Sequence, residues 1–220
     1  MQLVVLISII ISAYLLGSIP TSVWVGKIFY GIDIREYGSG NAGATNTIRV
    51  LGWKAGLPVM IVDVLKGFAA VTLIRFVQSP PPGTDLFVNY QLMLGGAAVI
   101  GHIFPVFARF RGGKGVATLF GMILAISPFS TLVCAGVFFL TLFLTKYVSL
   151  SSILAGFTFP VAVIVIFHTS VTSMIVFSIT VSVLLLLTHQ KNIGRLLRKE
   201  ESKATFLFHK REKINLRPGL

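Results

Sequence analysis

Residues that could bind a phosphate group are concentrated in three polar stretches of this chain, and nearly everything between them is apolar. The stretches run over residues 38–49, 101–118 and 189–196, and they combine glycine with asparagine, hydroxyl-bearing and basic residues. Such sequences supply backbone N–H donors and cations, which is what binding a phosphate requires. If all three stretches lie on one side of a membrane, they can form a single anion-binding site.

The first polar stretch, residues 38–49, concentrates side chains that can hold an anion. Ser39 and Thr45 carry hydroxyls, and the glycines between them permit unusual backbone angles and close approach of a ligand. The amides of Asn41 and Asn46 can both donate and accept hydrogen bonds. Arg49 provides a permanent, bidentate cation. The alternative is a glycine-rich turn that only connects two helices, but such a turn does not need two asparagines, a serine and an arginine so close together.

The second polar stretch, residues 101–118, places a lysine among glycines just before a predicted helix. The glycines that flank Lys114 are Gly112, Gly113 and Gly115. Backbone amides, the helix dipole and a cation can therefore converge on one anion. The run is not a Walker A loop, because Ala108 stands where that motif needs a glycine and Gly115 stands where it needs Ser or Thr.

The third polar stretch, residues 189–196, is predicted to extend a span into the cytoplasm at headgroup depth. His189 and Asn192 are three residues apart and share a helical face, with Arg195 on its flank. A basic helix that touches anionic lipid is the alternative. It explains the basic residues well and the His–Asn pair less well.

Ser149 and Ser152 are weaker candidates for phosphate contacts, with helix N-capping as the alternative role.

Composition indicates a membrane protein. The 220 residues are 55% hydrophobic and only 12% charged, and mean hydropathy is +0.88, whereas a soluble domain of this size needs far more charge on its surface. A membrane-spanning helix needs roughly 20 apolar residues. We predict an all-α, polytopic helix bundle forming one membrane-embedded domain over residues 1–220. It has about seven spans: about 3–25, 56–77, 89–104, 114–127, 130–145, 149–167 and 171–188. The short segment 114–127 is either a full span or a re-entrant element.

The basic residues predict the orientation. All but Lys66 and Arg75 of the 19 lysines and arginines fall in four segments, about 26–55, 105–116, 145–149 and 189–220. The positive-inside rule therefore predicts an outside N-terminus, an inside C-terminus and three polar stretches that face the cytoplasm. A nucleic-acid-binding role is not indicated, since neither a basic patch on a soluble fold nor aromatic stacking platforms are visible.

Several polar residues inside predicted spans have two interpretations. Asp63 and Lys66 are three apart and can pair on one helix face. Ionisable residues within a membrane are by default functional candidates, but a pair that only locks this helix to its neighbours is equally compatible with the sequence. His102, at the end of a span, is interpreted either as a capping or packing residue or as a residue that contacts substrate, with packing favoured. The single cysteine, Cys134, excludes an internal disulfide and a multi-cysteine metal site.

Taken together, these motifs resemble the bacterial acyl-phosphate:glycerol-3-phosphate acyltransferases, the PlsY family. That family has three cytoplasmic motifs of these types in this order, and the resemblance covers essentially the whole chain. The residues that carry it are Gly38-Ser39-Gly40-Asn41-Ala42-Gly43-Ala44-Thr45-Asn46 with Arg49, Gly101-His102-Ile103-Phe104-Pro105, and Gly112-Gly113-Lys114-Gly115. One departure concerns the third motif, where the family usually has a glycine and this chain has Lys199, followed by Glu200 and Glu201.

The resemblance implies a reaction at the inner face of the bacterial cytoplasmic membrane. An acyl group would pass from acyl phosphate to the 1-hydroxyl of glycerol 3-phosphate, giving lysophosphatidate and phosphate. Ser39, Arg49 and Lys114 would hold phosphates, and His189 and Asn192 would hold glycerol 3-phosphate. The proton would leave through His189 or through a phosphate oxygen of the substrate.

Neither a cofactor nor a metal ion is expected. None of the four histidines begins a His-x-x-x-x-Asp motif, and no carboxylate lies in the first two polar stretches. Membrane lipid is the expected surrounding. The main alternative is a transporter of a phosphorylated small solute, although transporters usually place their sites near the bilayer midplane within internal repeats. A purely structural membrane protein would leave the polar stretches unexplained.

Overall fold

The computed structural model describes residues 2–76 and 80–205, and over these ranges the protein is built from helices, with no β-strand. Sequence-based expectation and structure therefore agree on an all-α fold. The α-helices are α1 (Gln2–Gly17), α2 (Thr21–Tyr30), α3 (Ala44–Leu51), α4 (Trp53–Thr72), α5 (Asp85–Ile103), α6 (Val116–Ile126), α7 (Pro128–Thr145), α8 (Val148–Val161), α9 (Thr172–Thr188) and α10 (Gln190–Leu197). Short 3₁₀ turns cover Ile34–Glu36, Leu73–Phe76 and Val106–Ala108, and a π-helical turn, Ala162–Ile166, prolongs α8.

Four helical segments are long and apolar enough to cross a membrane: Trp53–Phe76, Asp85–Ala108, Pro128–Thr145 and Val148–Ile166. Two bent pairs raise the number to six if each pair counts as one span, namely α1 with α2, bent by 45°, and α9 with α10, bent by 64°. Helix α6 is apolar but has only 11 residues, well short of the roughly 20 that a perpendicular crossing requires. A multi-pass membrane protein is thus confirmed, while a seventh span stays a prediction.

Helix α4 packs against α1, α5 and α6. Glycines allow the closest of these approaches. A Cβ atom at Gly67 would strike the backbone carbonyl of Thr118, and one at Gly121 would strike that of Val64. Small residues at such crossings let helix backbones meet directly, which is how helices pack in a membrane without a hydrophobic driving force between them. This contact fixes the start of α6, and with it Lys114, against α4.

Two helix breaks shape the polar face of the bundle. The first span is interrupted between Gly17 and Thr21, and its second part, α2, leads into the first polar stretch. The second break corrects an expectation, because the third polar stretch does not continue its span as a straight helix. The apolar helix α9 ends at Thr188, and the polar helix α10 turns away by 64° with His189 at the corner. The turn allows α10 to lie across the end of the bundle.

The orientation can be tested by cysteine labelling. In a Cys134→Ala background, single cysteines at the exposed positions Glu36 and Lys191 are expected to resist an impermeant maleimide in intact cells. Cysteines at the exposed positions Thr84 and Ser170, in the loops on the opposite side, are expected to react. The charge distribution is the physical reason. Labelling of position 36 or 191 from outside would refute a cytoplasmic site.

Candidate active site

Glu201 connects two helices, α8 and α10, at the polar end of the bundle. Its Oε1 accepts hydrogen bonds from the Ser149 hydroxyl at 2.8 Å and from the Asn192 amide at 2.6 Å, and its Oε2 accepts one from Arg195 Nε at 2.7 Å. Burial alone would raise the pKa of Glu201, but the hydrogen bonds from Asn192, Arg195 and Ser149 together hold it below its usual value. Glu201 is therefore a carboxylate that stays charged and fixes α8 and α10 relative to each other.

Lys114 joins the second polar stretch to the third. Its Nζ donates a hydrogen bond to Asn192 Oδ1, so a chain of contacts runs from Lys114 through Asn192 to Glu201. Burial lowers the pKa of Lys114 to about 8; the Glu201 carboxylate opposes this shift, and the charges of Arg195 and Arg49 add to it. The lysine is thus a cation held in a partly desolvated place among other cations, a setting that favours an anionic ligand.

Arg49 brings the first polar stretch to the same place. It lies in the last turn of α3, and burial lowers its pKa, with Glu201 opposing and Arg195 adding to the shift. Because these electrostatic effects require proximity, Arg49 belongs with Lys114 and Arg195 to one basic cluster around Glu201. Among the described residues, these three cations and one carboxylate carry a net positive charge, which favours an anionic ligand.

His189 is held in a defined tautomer at the corner between α9 and α10. It is 2% exposed, and its Nδ1 lies 2.9 Å from the Leu185 carbonyl oxygen. A carbonyl only accepts hydrogen bonds, so Nδ1 carries the hydrogen and Nε2 keeps its lone pair. Burial, and next the charge of Lys114, lower the pKa of His189 to about 4. The ring is therefore neutral near pH 7 and offers a hydrogen-bond acceptor beside the basic cluster.

Asn46 organises the loop of the first polar stretch. Its amide nitrogen donates to the carbonyl oxygens of Ile34 and Tyr37, each at 3.0 Å, and its Oδ1 accepts the backbone N–H of Ser39 at 2.8 Å. The side chain is 1% exposed. Both of its N–H donors are thus committed to the protein backbone, contrary to the expectation that Asn46 donates to substrate. Its evident role is to position Ser39.

Three other polar side chains of this stretch are available to a ligand. Ser39, Asn41 and Thr45 are half-buried, and among the residues that the structure describes none of their side chains makes a hydrogen bond. Thr45 and Arg49 are four residues apart in α3 and so share a helical face. This arrangement agrees with their predicted use in binding.

The second polar stretch differs from the predicted phosphate cradle. The N–H groups of Gly112 and Gly113 already donate to the carbonyl oxygens of Ile103 and His102, each at 3.2 Å, so these two amides are not available to a phosphate. Their lack of a side chain serves packing instead, since a Cβ at Gly113 would strike the His102 ring and the Ala42 carbonyl. Within the described residues, the N–H groups of residues 114–118 have no acceptor. Gly115 and the start of α6 thus retain the anion-binding geometry.

A contact that sequence reasoning missed joins the segment just before the first polar stretch to the second stretch. Arg35 donates to the backbone carbonyls of Ala108 at 3.0 Å and Arg111 at 3.3 Å, while Asp33 Oδ2 holds the same guanidinium at 2.6 Å. In the sequence, Arg35 contributes only to the excess of basic residues in segment 26–55. No local sequence pattern predicts that a side chain will bind a backbone carbonyl 73 residues away in the chain.

Comparison with known proteins identifies the family. Residues 7–199 match the family described as glycerol-3-phosphate acyltransferase. The glycerol-3-phosphate acyltransferase of Chlorobium phaeobacteroides (strain DSM 266) is 42% identical over 231 residues, covering 93% of this chain and 98% of the relative. That of Chlorobaculum tepidum is 43% identical over 224 residues, covering 91% and 97%. The chain belongs to the glycerol-3-phosphate acyltransferase family.

A solved structure supports this placement of the acyltransferase. The crystal structure of PlsY (YgiH), an integral membrane glycerol 3-phosphate acyltransferase in its glycerol 3-phosphate form, matches with a TM-score of 0.77 and 35% identity. The match covers 93% of this chain and 99% of that one. The lysophosphatidic acid form of PlsY matches with a TM-score of 0.76. Both the membrane-embedded fold and the enzyme class predicted from the sequence are confirmed.

The departure from the family pattern at Lys199 has a structural explanation. Lys199 adopts a left-handed backbone conformation with φ of 58°, which glycine adopts without strain. Its N–H donates to the Leu196 carbonyl at 3.0 Å, and that of Glu200 donates to the Arg195 carbonyl at 2.8 Å. The acyltransferase thus keeps the turn without the glycine, and the turn brings Glu201 back to Asn192 and Arg195.

The two serines of α8 that the sequence singled out, Ser149 and Ser152, have different roles. Ser149 donates to Glu201, whereas the Ser152 hydroxyl donates to the Val148 carbonyl of its own helix at 2.9 Å. Neither caps the helix, which begins after Tyr147 with no side-chain cap. The capping alternative is therefore wrong for both. Ser149 reaches substrate only through Glu201 in this arrangement, and Ser152 has no contact with the basic cluster among the described hydrogen bonds.

Proposed function

We propose that this acyltransferase moves an acyl group from acyl phosphate to the 1-hydroxyl of glycerol 3-phosphate, at the cytoplasmic face of the bacterial inner membrane. The observation that carries the proposal is the basic cluster: Arg49, Lys114 and Arg195 around one carboxylate, with a neutral histidine beside them. Both reactants carry phosphate groups, and an excess of cations is what two phosphates in one site require. The PlsY structure in its glycerol 3-phosphate form supports that acceptor.

In the proposed reaction, the 1-hydroxyl oxygen attacks the acyl carbonyl carbon of acyl phosphate. The bond from that carbon to the phosphate oxygen breaks, the hydroxyl proton passes to the departing phosphate, and lysophosphatidate and inorganic phosphate result. Acyl phosphate is already an activated anhydride, so the enzyme contributes position and electrostatics. Arg49 and Lys114 would offset the charge on the leaving phosphate, with Ser39 and the free amides at the start of α6 as donors.

We assign His189 the orientation of the acceptor hydroxyl. Its Nε2 lone pair can accept a hydrogen bond from the 1-hydroxyl, while Nδ1–H is held by Leu185. A group with a pKa of about 4 is a weak base near pH 7. A phosphate oxygen, with a second pKa of about 6, is the better proton acceptor. Proton transfer to the departing phosphate therefore fits the site better than proton transfer to His189.

The remaining parts of the proposal concern the whole molecule. The chain would act as one membrane-embedded domain, with residues 1–220 contributing the bundle and its polar face. The acyl chain would lie in an apolar groove between helices, open to membrane lipid. A transporter of a phosphorylated solute loses its support, since the chain belongs to an acyltransferase family.

The donor can be tested directly with purified protein in detergent. We expect labelled glycerol 3-phosphate to be converted to lysophosphatidate with palmitoyl phosphate as donor, and not with palmitoyl-CoA or palmitoyl-acyl carrier protein. Equal rates with either thioester donor would overturn the acyl phosphate assignment. A catalytically dead control is supplied by the double variant Arg49→Ala, Lys114→Ala.

The pH dependence follows from the Lys114 amine. Because its pKa lies at about 8 in the free enzyme, the cation is present below that pH and is lost as pH rises through it. We expect kcat/KM to fall above about pH 8, where both substrate phosphates are already fully ionised. Lys114→Arg should keep some activity and lose this alkaline limb, since arginine stays charged. A wild-type profile that is flat from pH 7 to 9.5 would contradict the assignment.

Transfer without a covalent intermediate is a further expected result. Ser39 Oγ makes no hydrogen bond to a histidine or carboxylate among the described residues, so nothing activates it as a nucleophile. We expect intersecting double-reciprocal plots, and an impaired Ser39→Ala variant that has lost a phosphate or substrate hydrogen bond. Cys134→Ala should be as active as wild type. Trapping of an acyl group on Ser39, or ping-pong kinetics, would make Ser39 the nucleophile.

A further inference from the structure

A buried polar cluster next to the site is not used by the mechanism above. It consists of Asp63 and Lys66 on α4, His102 on α5 and Thr118 on α6, exposed by 2%, 5%, 6% and 0%. Asp63 Oδ1 lies 2.9 Å from Lys66 Nζ, and Lys66 Nζ also donates to the Ile19 carbonyl at 3.0 Å, in the break of the first span. Buried charge pairs rarely add stability over well-packed apolar residues. The cluster therefore calls for another explanation.

His102 contacts residues on both sides of Lys114, the main chain of one and the side chain of the other. Its carbonyl oxygen accepts the Gly113 N–H at 3.2 Å, and its Nδ1 lies 3.1 Å from the Thr118 hydroxyl. The ring also occupies the space that a side chain at position 113 would need. Residue 113 directly precedes Lys114, and Thr118 lies in the first turn of α6. His102 therefore contacts the chain just before and just after the lysine.

The Asp63 carboxylate lies near the same ring nitrogen of His102 that faces Thr118. Asp63 Oδ1 lies 3.7 Å from His102 Nδ1, and Thr21 donates to the same carboxylate oxygen at 3.3 Å. A cavity of about 10 Å³ between Asp63, Lys66, His102 and Gly113 has room for about one water molecule. The cluster is thus closely packed, and a change at Asp63 or His102 is transmitted to the turn before α6.

We propose that His102, held by the Asp63–Lys66 pair and by Thr118, is a positioning residue that fixes the main chain on both sides of Lys114. The inference rests on the proposed role of Lys114 in phosphate binding. It assigns a function to the Asp63–Lys66 pair, for which the sequence left a functional and a structural role equally open. None of the four side chains contacts substrate in this proposal; they act through the position of Lys114.

The test is the pair Thr118→Val and Thr118→Ser, with Thr131→Val as the matched control. Valine keeps the shape of threonine and removes its hydroxyl. Thr131 is also buried, and among the described residues its hydroxyl bonds to the Ser127 carbonyl at the start of α7, which follows the opposite end of α6 from Lys114. We expect Thr118→Val to lower kcat/KM roughly tenfold, as the loss of one buried hydrogen bond would. The pH above which kcat/KM of Thr118→Val falls should differ from that of the wild type. Thr118→Ser should restore both the wild-type kcat/KM and this pH.

The control variant separates positioning from stability. Thr131→Val should keep wild-type kinetics while its unfolding temperature changes about as much as that of Thr118→Val. If Thr118→Val shows wild-type kcat/KM and an unmoved alkaline limb, the proposal is wrong. Should Thr118→Val not fold, His102→Asn and His102→Leu give the same comparison, because asparagine can keep the bond made by Nδ1 and leucine cannot.

Lys114→Ala, assayed in parallel, distinguishes the two levels of the argument. Absence of acyl transfer in the wild-type enzyme would overturn the proposed function. An unimpaired Lys114→Ala variant would overturn only the role of the lysine, and the positioning proposal with it. An impaired Lys114→Ala variant beside an unaffected Thr118→Val variant would overturn the positioning proposal alone.

Discussion

Replacing Arg49 by lysine is expected to reduce kcat/KM by roughly 100-fold, equivalent to about 3 kcal/mol, the upper end for a hydrogen bond to a charged group. The charge is conserved in this variant, so the loss would come from geometry. Arginine presents a planar fork that matches two phosphate oxygens, whereas a lysine ammonium is a single point charge on a flexible stem. Steady-state kinetics with each substrate varied in turn is the measurement.

The position of Arg49 makes this result informative. It shares a basic cluster with Lys114 and Arg195, so a purely electrostatic role would be largely fulfilled by any cation there. Arg35→Lys is a useful comparison, since that arginine binds Asp33 and backbone carbonyls instead of the cluster. Near-normal turnover of Arg49→Lys at saturating substrate would contradict a phosphate-binding role for Arg49 and would leave it only a general charge near the lipid surface.

Replacing Glu201 by alanine is expected to have an equally large effect, with a different signature. The substitution removes the acceptor for Ser149, Asn192 and Arg195 and leaves the basic cluster without its carboxylate. Loss of a charged acceptor costs about 1.5–3 kcal/mol for each hydrogen bond. We therefore expect both a loss of at least 100-fold in kcat/KM and a clearly lowered unfolding temperature in detergent.

Glu201→Gln separates the two contributions. Glutamine can still accept from Arg195 or Asn192, so much of the thermal stability should remain, while the negative charge is lost. Without that charge Lys114 is protonated less readily, and the alkaline limb of kcat/KM should move to lower pH. Full activity in a folded Glu201→Ala variant would show that the network does not support the site.

The sequence could predict which residues meet, because phosphate chemistry restricts the types that are useful. Lys114 and Asn192 come from separate polar stretches and are hydrogen-bonded in the structure. Arg49, from the remaining stretch, lies close enough to Glu201 for the carboxylate to affect its pKa. The membrane-embedded helical fold was also predictable, since it depends on composition and on the length of apolar runs.

What could not be predicted depends on tertiary geometry. Nothing in the motif around Gly113 shows that its amide is already used by His102, because that bond forms only when the end of α5 folds back against the loop. The role of Glu201 was hidden for a similar reason. It follows a left-handed turn at Lys199, a residue that carries no signal for such a turn. The bend at His189 likewise depends on contacts beyond its own helix.

The break in the first span has a consequence for the biogenesis of the enzyme. Lys66 supplies the hydrogen-bond partner of the Ile19 carbonyl, yet it is synthesised after the first span has left the ribosome. Meanwhile α4 brings Asp63 and Lys66 into the bilayer, each of which costs about 2.5–3.5 kcal/mol at the centre of an isolated helix. Asp63 and Lys66 offset part of this cost by pairing within α4, whereas the Ile19 carbonyl gains its partner only when the two segments lie side by side. We expect the translocon to retain the first span until α4 emerges, so that the two enter the membrane as one unit.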